Sequence, residues 1–376
     1  MNKVKQYLSC LKQYLSCFIG YFKSHLFFAG AVVSLGSLLV GIFIPLLISE
    51  WFEENYWKTP QRFAGLLQGD KIQEFNNLRK EFNIKIEFDG IDLSGKNLAG
   101  ANLKSLILNN VNLSNADLSN ANLENLKVSG DLSDINMFNA SLFRADLSNS
   151  DLSGANMTKA NLTLTNLEKT LMVRSTMIYS KLHNADLTGA YMAGTDMERA
   201  SLTGADLTNA DLRNTSLIGA DLFDADLTES ILFDADLTGA IVVDTDLTRA
   251  NLVGADLTGS IFFRADLTGA NLANANLTYT YLAGADLKGA NLDKADLTEA
   301  ELFRADLTNA YLIGTDLTGA NLFDTNLKDA YLKYVILDNK TSITCATLKN
   351  ANLSDNINLE KVRLIDSDKM EVSNCK

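Results

Sequence analysis

Only two histidines occur in these 376 residues, His25 and His183, so the side chain that most often serves as base, proton shuttle or metal ligand is nearly absent. The four cysteines are as sparse. Cys10 and Cys17 lie near the start, Cys345 and Cys375 near the end, and their spacing reads as neither a metal site nor a disulfide framework. No glycine-rich phosphate loop is present. These absences remove the usual catalytic templates, and no enzyme activity, cofactor or metal is expected. Acidic residues are missing from the first 49 positions, which hold Lys3, Lys5, Lys12 and Lys23, although the whole chain has a formal net charge of −13. The remainder is therefore more acidic than the total suggests, and a nucleic-acid partner is not expected.

What is present is a period. Between Ile91 and Val335 an apolar residue returns every fifth position and a small one sits two places before it. Ala205-Asp206-Leu207-Thr208-Asn209 and Ala235-Asp236-Leu237-Thr238-Gly239 show it plainly. A period of five fits neither a helix nor the alternation of a strand. Short straight steps joined by turns would send each fifth side chain inward, which makes the segment a solenoid. The centres Leu187, Met192, Met197, Leu202 and Leu207 fill the axis, while Ala190, Thr195, Ala200 and Ala205 let the corners close. Asp, Asn, Thr and Gly at the other places suit turns and a wet surface. From Leu207 onward Thr follows the centre at alternate units (Thr228, Thr238, Thr248, Thr258, Thr268), and the units between carry Phe233, Val243, Val253 and Phe263. Such alternation requires an even number of units per coil.

This A(D/N)LXX pattern, met at about fifty consecutive units, resembles the pentapeptide-repeat family, in the form of a membrane-anchored, bacterial, cyanobacterial-like member. The resemblance implies an all-β solenoid, a right-handed quadrilateral β-helix with four units per coil. Stacked at about 4.8 Å, roughly thirteen coils would make a rod about 60 Å long. Its interior would be a column of Leu and Ala with no room for a substrate.

Register breaks mark where such a rod bends or ends. After Val128 the next centre is Leu132, so Ser129-Gly130-Asp131 signals a missing residue and a bulge. The period fails across Asp338 to Cys345 and resumes at Leu348, Leu353, Leu359 and Leu364, which makes Asp338-Asn339-Lys340-Thr341-Ser342 a surface loop. At the other end Asp70 and Gln73 read as a helix N-cap pair, with Ile72, Phe75, Leu78 and Phe82 near one helical face. Ile84, Ile86 and Phe88 alternate as a strand leading into the first coil. The helix is expected to cover the open end of the solenoid, whose backbone and apolar side chains would otherwise be bare. Phe75-Asn76-Asn77-Leu78-Arg79 resembles a lead-in that precedes bacterial rods of the family.

The first fifty residues are of another kind. Leu26 to Ser49 has no formal charge and as a helix would reach about 36 Å, enough to cross a bilayer core. Trp51, Phe52, Tyr56 and Trp57 follow as an aromatic belt. The long lysine-bearing lead and the lack of a small-x-small cleavage site favour a retained anchor over a signal peptide. Upstream, Lys5, Ser9, Lys12, Ser16 and Lys23 line one helical face against Leu8, Leu11, Leu15, Phe18 and Phe22 on another, the pattern of an interfacial helix on anionic lipid. The lysines before the span outnumber Lys58 and Arg62 after it, which favours a cytoplasmic N-terminus and a rod in a periplasm or lumen. Gly30, Ser34, Ser37 and Gly41 share one face of the span and form a candidate packing surface for a homodimer. The expected divisions are 1–25 interfacial segment, 26–49 transmembrane helix, 50–90 linker and capping helix, 91–337 β-helix, 338–365 irregular coils and 366–376 tail.

Two ladders recur at twenty-residue intervals. Asp206, Asp226, Asp246, Asp266, Asp286 and Asp306 form an acidic one. It reads either as a mimic of nucleic-acid phosphates, as in the gyrase-directed branch of the family, or as ordinary solvation of a turn, and the second is preferred. Phe223, Val243, Phe263, Ala283, Phe303 and Phe323, with Ile241, Ile261 and Tyr281, form an apolar one expected to face outward. That strip is either a contact surface for a protein, a second copy or a membrane, or a set of self-stacking neighbours. Leu171 to His183, with Arg174, Tyr179 and Lys181, departs most from the repeat and reads as drifted units. The expected function is a membrane-anchored, non-catalytic scaffold or interaction rod, with lipid contacted through 1–57 and a protein partner not identified by the sequence. A DNA-mimicking gyrase modulator and an extracytoplasmic envelope-organising protein are the alternatives.

Overall fold

The computed structural model describes residues 60–81 and 86–353, and the chain divides into two units, Met1–Thr59 and Pro60–Lys376. The expected interfacial segment, the span with Gly30, Ser34, Ser37 and Gly41, and the tail from 366 lie outside the described residues. Among the described residues no helix is long and apolar enough to cross a membrane.

Each five-residue unit turns the backbone once. The Ala205 N–H donates to the Leu202 carbonyl at 2.9 Å across Thr203 and Gly204, and Gly204 has φ 64°. A positive φ at the third residue of a hydrogen-bonded four-residue turn is the type II geometry, which explains why Gly, Asn and Asp recur at this place. Arg264 and Tyr279 also adopt it, at φ 57° and 58°, each at a cost of about 1–2 kcal/mol. The residue before the centre locks the same turn. Asp206 Oδ1 accepts the Thr208 N–H at 2.9 Å, and Asn276 Oδ1 accepts that of Thr278 at 3.1 Å. This local closure is the physical reason for Asp or Asn at that position.

Successive coils pair in parallel at a twenty-residue register: Asp186, Asp206, Asp226 and Asp246 follow one another on one face, and Asp221, Ile241, Ile261 and Tyr281 on another. Four units therefore close each coil, as the alternation of Thr and apolar units requires. Leu237, Leu257 and Leu277 stack fully buried along the axis. At several corners where Thr replaces Ala its hydroxyl donates to the centre carbonyl of a neighbouring coil, Thr245 to Leu222 at 2.7 Å, Thr280 to Leu257 at 3.0 Å and Thr315 to Leu292 at 2.7 Å, while Thr170 donates to Leu167 of its own turn. So paired, a buried hydroxyl is tolerated.

In the first coils β1 (Glu87–Asp89), β2 (Ile107–Asn112) and β3 (Lys127–Asp131) form a parallel three-stranded sheet whose register slips between Leu108 and Val111. Asp117 then pairs with Asn136 and Asn122 with Ser141, so one coil is a residue short where Ser129-Gly130-Asp131 indicated. Gly130 has φ 137°, and a Cβ there would lie 2.1 Å from the Val111 carbonyl oxygen, so the bulge accepts only glycine.

The expected failure of the repeat across Asp338 to Cys345 is corrected. Asn321 pairs with Ser342 and Asn326 with Thr347, so one residue is inserted and the coil continues to the pairing of β4 (Tyr331–Leu332) with β5 (Asn352–Leu353). Buried Thr341 takes the small inward corner and donates its hydroxyl to the Leu317 carbonyl at 2.8 Å. A search for Leu at fixed spacing misses this substitution. Asp338 Oδ1 closes the inserted turn by accepting the N–H groups of Lys340 and Thr341, each at 3.0 Å, and that of Gly319 at 2.9 Å. Cys345 is disulfide-bonded, which the spacing of the four cysteines does not indicate. Spacing rules detect clustered cysteines, and these are remote in sequence.

The N-terminal cap has two helices instead of one, α1 (Pro60–Gln68) and α2 (Ile72–Glu81). Pro60 sits at the first position, where its missing N–H costs nothing, and Phe63, Leu66 and Leu67 are buried. Asp70 is not the N-cap of α2. It has φ 54°, its N–H donates to the Leu67 carbonyl, and the Lys71 N–H donates to that of Leu66, which is the Schellman closure of α1. Phe63 and Phe75 join the helices edge to face at 5.7 Å. Ile86 and Phe88 are buried with exposed Glu87 between them, as their alternation predicts, while Phe82 and Ile84 lie outside the described residues. The lead-in caps the first coil through side chains. Asn76 donates to the Gly100 carbonyl at 2.9 Å and accepts the Asn102 N–H at 2.8 Å, and Arg79 donates to the Lys104 carbonyl at 2.5 Å.

Candidate interaction surface

Two opposite faces of the β-helix carry the Asp-Leu-Thr units. On one of them the six carboxylates from Asp206 to Asp306 each accept the backbone N–H two residues on, at 2.8–3.1 Å. One oxygen of every rung is thus committed to its own turn. Lys288 adds a cation, donating to Asp286 at 2.5 Å and lying 3.4 Å from Asp306. Desolvation pushes the Asp306 carboxyl up, but the bonds from Thr308 and the charge of Lys288 outweigh it and hold the group below its usual range. Each rung of the acidic ladder thus closes its own turn, and Lys288 offsets the charge of Asp286 and Asp306.

The other pair of faces is apolar. On the first, Phe223, Ile241, Ile261, Phe263, Tyr281 and Phe323 are exposed by 37–44%, and Val243 and Phe303 are half-buried. Ala283 departs from the outward expectation. It is buried, and its register neighbours one coil away on either side are the larger Phe263 and Phe303. Phe263 and Tyr281 lie 6.4 Å apart between centroids, and Phe303 stacks on Phe323 at 5.7 Å. Arg264 lies over the Phe263 ring at 4.9 Å and Arg304 over the Phe303 ring at 4.8 Å. Arg264 also binds Asp244 through both arms of its guanidinium, and Arg304 donates to Asp324 at 3.0 Å. Self-stacking and an outward aromatic surface therefore coexist, because Phe263, Tyr281, Phe303 and Phe323 each share one side with a neighbouring ring and leave part of the ring in solvent.

On the opposite face exposed apolar residues are interrupted at the same register by Asp211, Asn251, Asn271 and Asn291. Tyr191, Ile231, Phe233, Tyr311 and Tyr331 are exposed there, and the rings of Tyr311 and Tyr331 lie 4.8 Å apart and within 2° of parallel. The twenty-residue interval was legible at the position before the centre, the same signal that revealed the first strip. The Leu171 to His183 stretch holds the regular coil, with Met172, Met177 and Leu182 fully buried and Arg199 set over Tyr179 at 5.6 Å. Ser175 and Ser180 turn hydroxyls inward without a hydrogen-bond partner. Among the described residues no group of His, Cys, Asp and Glu could hold a metal ion.

A family model described as Pentapeptide repeats matches the chain in overlapping segments that begin at residue 86 and end at residue 339, more than half its length. No curated protein matches significantly. Similar solved structures include HetL from the cyanobacterium Nostoc, involved in heterocyst differentiation regulation, at 32% identity over 59% of this chain and 86% of that one, with TM-score 0.21. Rfr23 from the cyanobacterium Cyanothece is 40% identical over 26% of this chain and 62% of its own, with TM-score 0.22. QnrB1, a plasmid-mediated fluoroquinolone resistance protein, is 16% identical over 49% of this chain and 89% of that one, with TM-score 0.27. With TM-scores this low, none of the three bears on what this chain binds.

Proposed function

Because the chain belongs to the pentapeptide-repeat family, we propose that it is a membrane-anchored, non-catalytic rod whose first apolar face binds another protein. The observation that carries the reading is the Phe263, Tyr281, Phe303 and Phe323 surface with Arg264 and Arg304 laid over it, set on a scaffold whose axis is filled by buried Leu and Ala. Aromatic rings and arginines on a rigid support are the composition of a binding hot spot. The anchor rests on the uncharged run Leu26 to Ser49 and the aromatic residues after it. Placement of the rod outside the cytoplasm rests on the lysines before that run. The gyrase reading has less support, since each rung of the acidic ladder spends an oxygen on its own turn.

Alkaline carbonate washing of membranes, followed by protease treatment of intact spheroplasts, tests this directly. The chain should stay with the membrane and its rod should be cut from outside. Release by carbonate, or a rod cut only after lysis, would overturn the anchored or the extracytoplasmic part in turn.

A further inference from the structure

The strip is complementary to itself when two rods lie parallel. A two-fold axis along the rod places the position before each centre on one copy against the positions one and two after the centre on the other, at the same level. At the coil of Leu282 the largest residue of the first column, Tyr281, is exposed, and the opposing pair is the smallest on the strip, buried Ala283 and exposed Gly284. Gly284 leaves a step in the surface where a Cβ would meet only the Arg264 stem, its Cγ at 3.6 Å. Arg264, one coil before it, turns away to Asp244, and Arg304, one coil after it, turns away to Asp324. One coil on, exposed Glu301 of one copy would meet Arg304 of the other, whose side chain is 65% exposed.

We propose that this face is the interface of a parallel homodimer, in which Tyr281 of each copy seats over the Ala283–Gly284 step of the other and Glu301 pairs with Arg304. The proposal rests on the reading of this face as a protein-binding surface and names its occupant. Size agrees at the coil of Leu282 and charge at that of Leu302, each twice by symmetry, while at the coil of Leu222 Asp221 faces Phe223 and Asp224. An antiparallel arrangement about the same coil would set Arg264 against Arg304 and Asp244 against Asp324, like charge on like. Along the strip from Phe223 to Phe323 the contact would extend for about 24 Å at the β-sheet spacing, and its arginine–aromatic centre is the composition that dominates binding energy.

Sedimentation equilibrium of the full chain in a mild detergent tests the pairing, with Glu301→Arg, Arg304→Glu and the double reversal E301R/R304E as variants. Circular dichroism melts check that each is folded. The wild type should dimerise, each single reversal should raise the dissociation constant at least about tenfold, and the double reversal should return it to within about threefold, because a pair across the interface regains opposite signs when both are swapped. A wild type that is monomeric throughout, or a dimer indifferent to the single reversals, would overturn the proposal. Neither result would close the face to a different protein, which is read separately by its aromatic residues.

Discussion

The side-chain carbonyl of Asn76 accepts the Asn102 N–H at 2.8 Å, the bond that one coil further on is made by a backbone carbonyl, Asn122 N–H to Ala101 at 2.9 Å. Asn76 therefore stands in for a coil that does not exist. Asn76→Ala would leave the Asn102 N–H and the Gly100 carbonyl without these partners, at a cost of roughly 1–3 kcal/mol for a poorly solvated group. Asn76→Asp keeps the acceptor and should cost less. Hydrogen exchange at the Asn102 amide checks the order, which is Ala faster than Asp faster than wild type.

Leu257 lies fully buried between Leu237 and Leu277, whereas Asp256 faces out and accepts the Thr258 N–H at 3.0 Å. Leu257→Asp would bury an unpaired carboxylate and cost several kcal/mol, of the order of about 4. Asp256→Asn should be nearly neutral, since Asn276 makes the same closure one coil away. Melting followed by circular dichroism would give the reverse order only if the inward and outward assignments were exchanged.

Acid should loosen the C-terminal coil through Asp338. The bond from the Gly319 N–H is the largest cause holding this carboxyl below its usual range, against an opposing desolvation and with help from Lys340 and Thr341. A depressed folded pKa means that the stabilisation is complete above the unfolded value of about 3.9 and is lost as pH falls through the folded value. The Gly319 amide should exchange faster relative to mid-rod amides as pH is lowered from 5 to 3, after correction for intrinsic rates. In Asp338→Ala the acceleration should already be present at pH 7 and show no further acid dependence.

Much of this architecture is visible in the sequence because a solenoid repeats one short-range solution. Inward Leu, the small corner residue and the turn-locking Asp or Asn recur locally, so period alone places Leu257 and Asp256 correctly. The bulge at Gly130 was legible for the same reason, as a single lost position. What escaped depends on substitution or on neighbouring elements. One residue is inserted before Thr341 and the following centre is Ile343 in place of Leu, so at fixed spacing the coil looked broken there. Asp70 resembles an N-cap when α2 is considered alone, but the preceding helix, begun by Pro60 and ended at Gln68, claims it for its C-terminal closure. Ala283 follows the pattern of an outward position and is buried because its neighbours on adjacent coils are phenylalanines, a fact that lies in the stacking and not in the unit.

The most direct measurement is a comparison of Phe263→Ser/Phe303→Ser with the wild-type chain, reading association and thermal stability side by side. If the face is a binding surface, association should be lost while the rod stays folded, its melting midpoint lowered only by the burial and stacking that the two rings already have within the rod. Self-stacking alone would remove only about 0.5–1.5 kcal/mol per ring pair. Intact association accompanied by a large drop in melting temperature would contradict the account and assign the aromatic ladder to the stability of the rod itself.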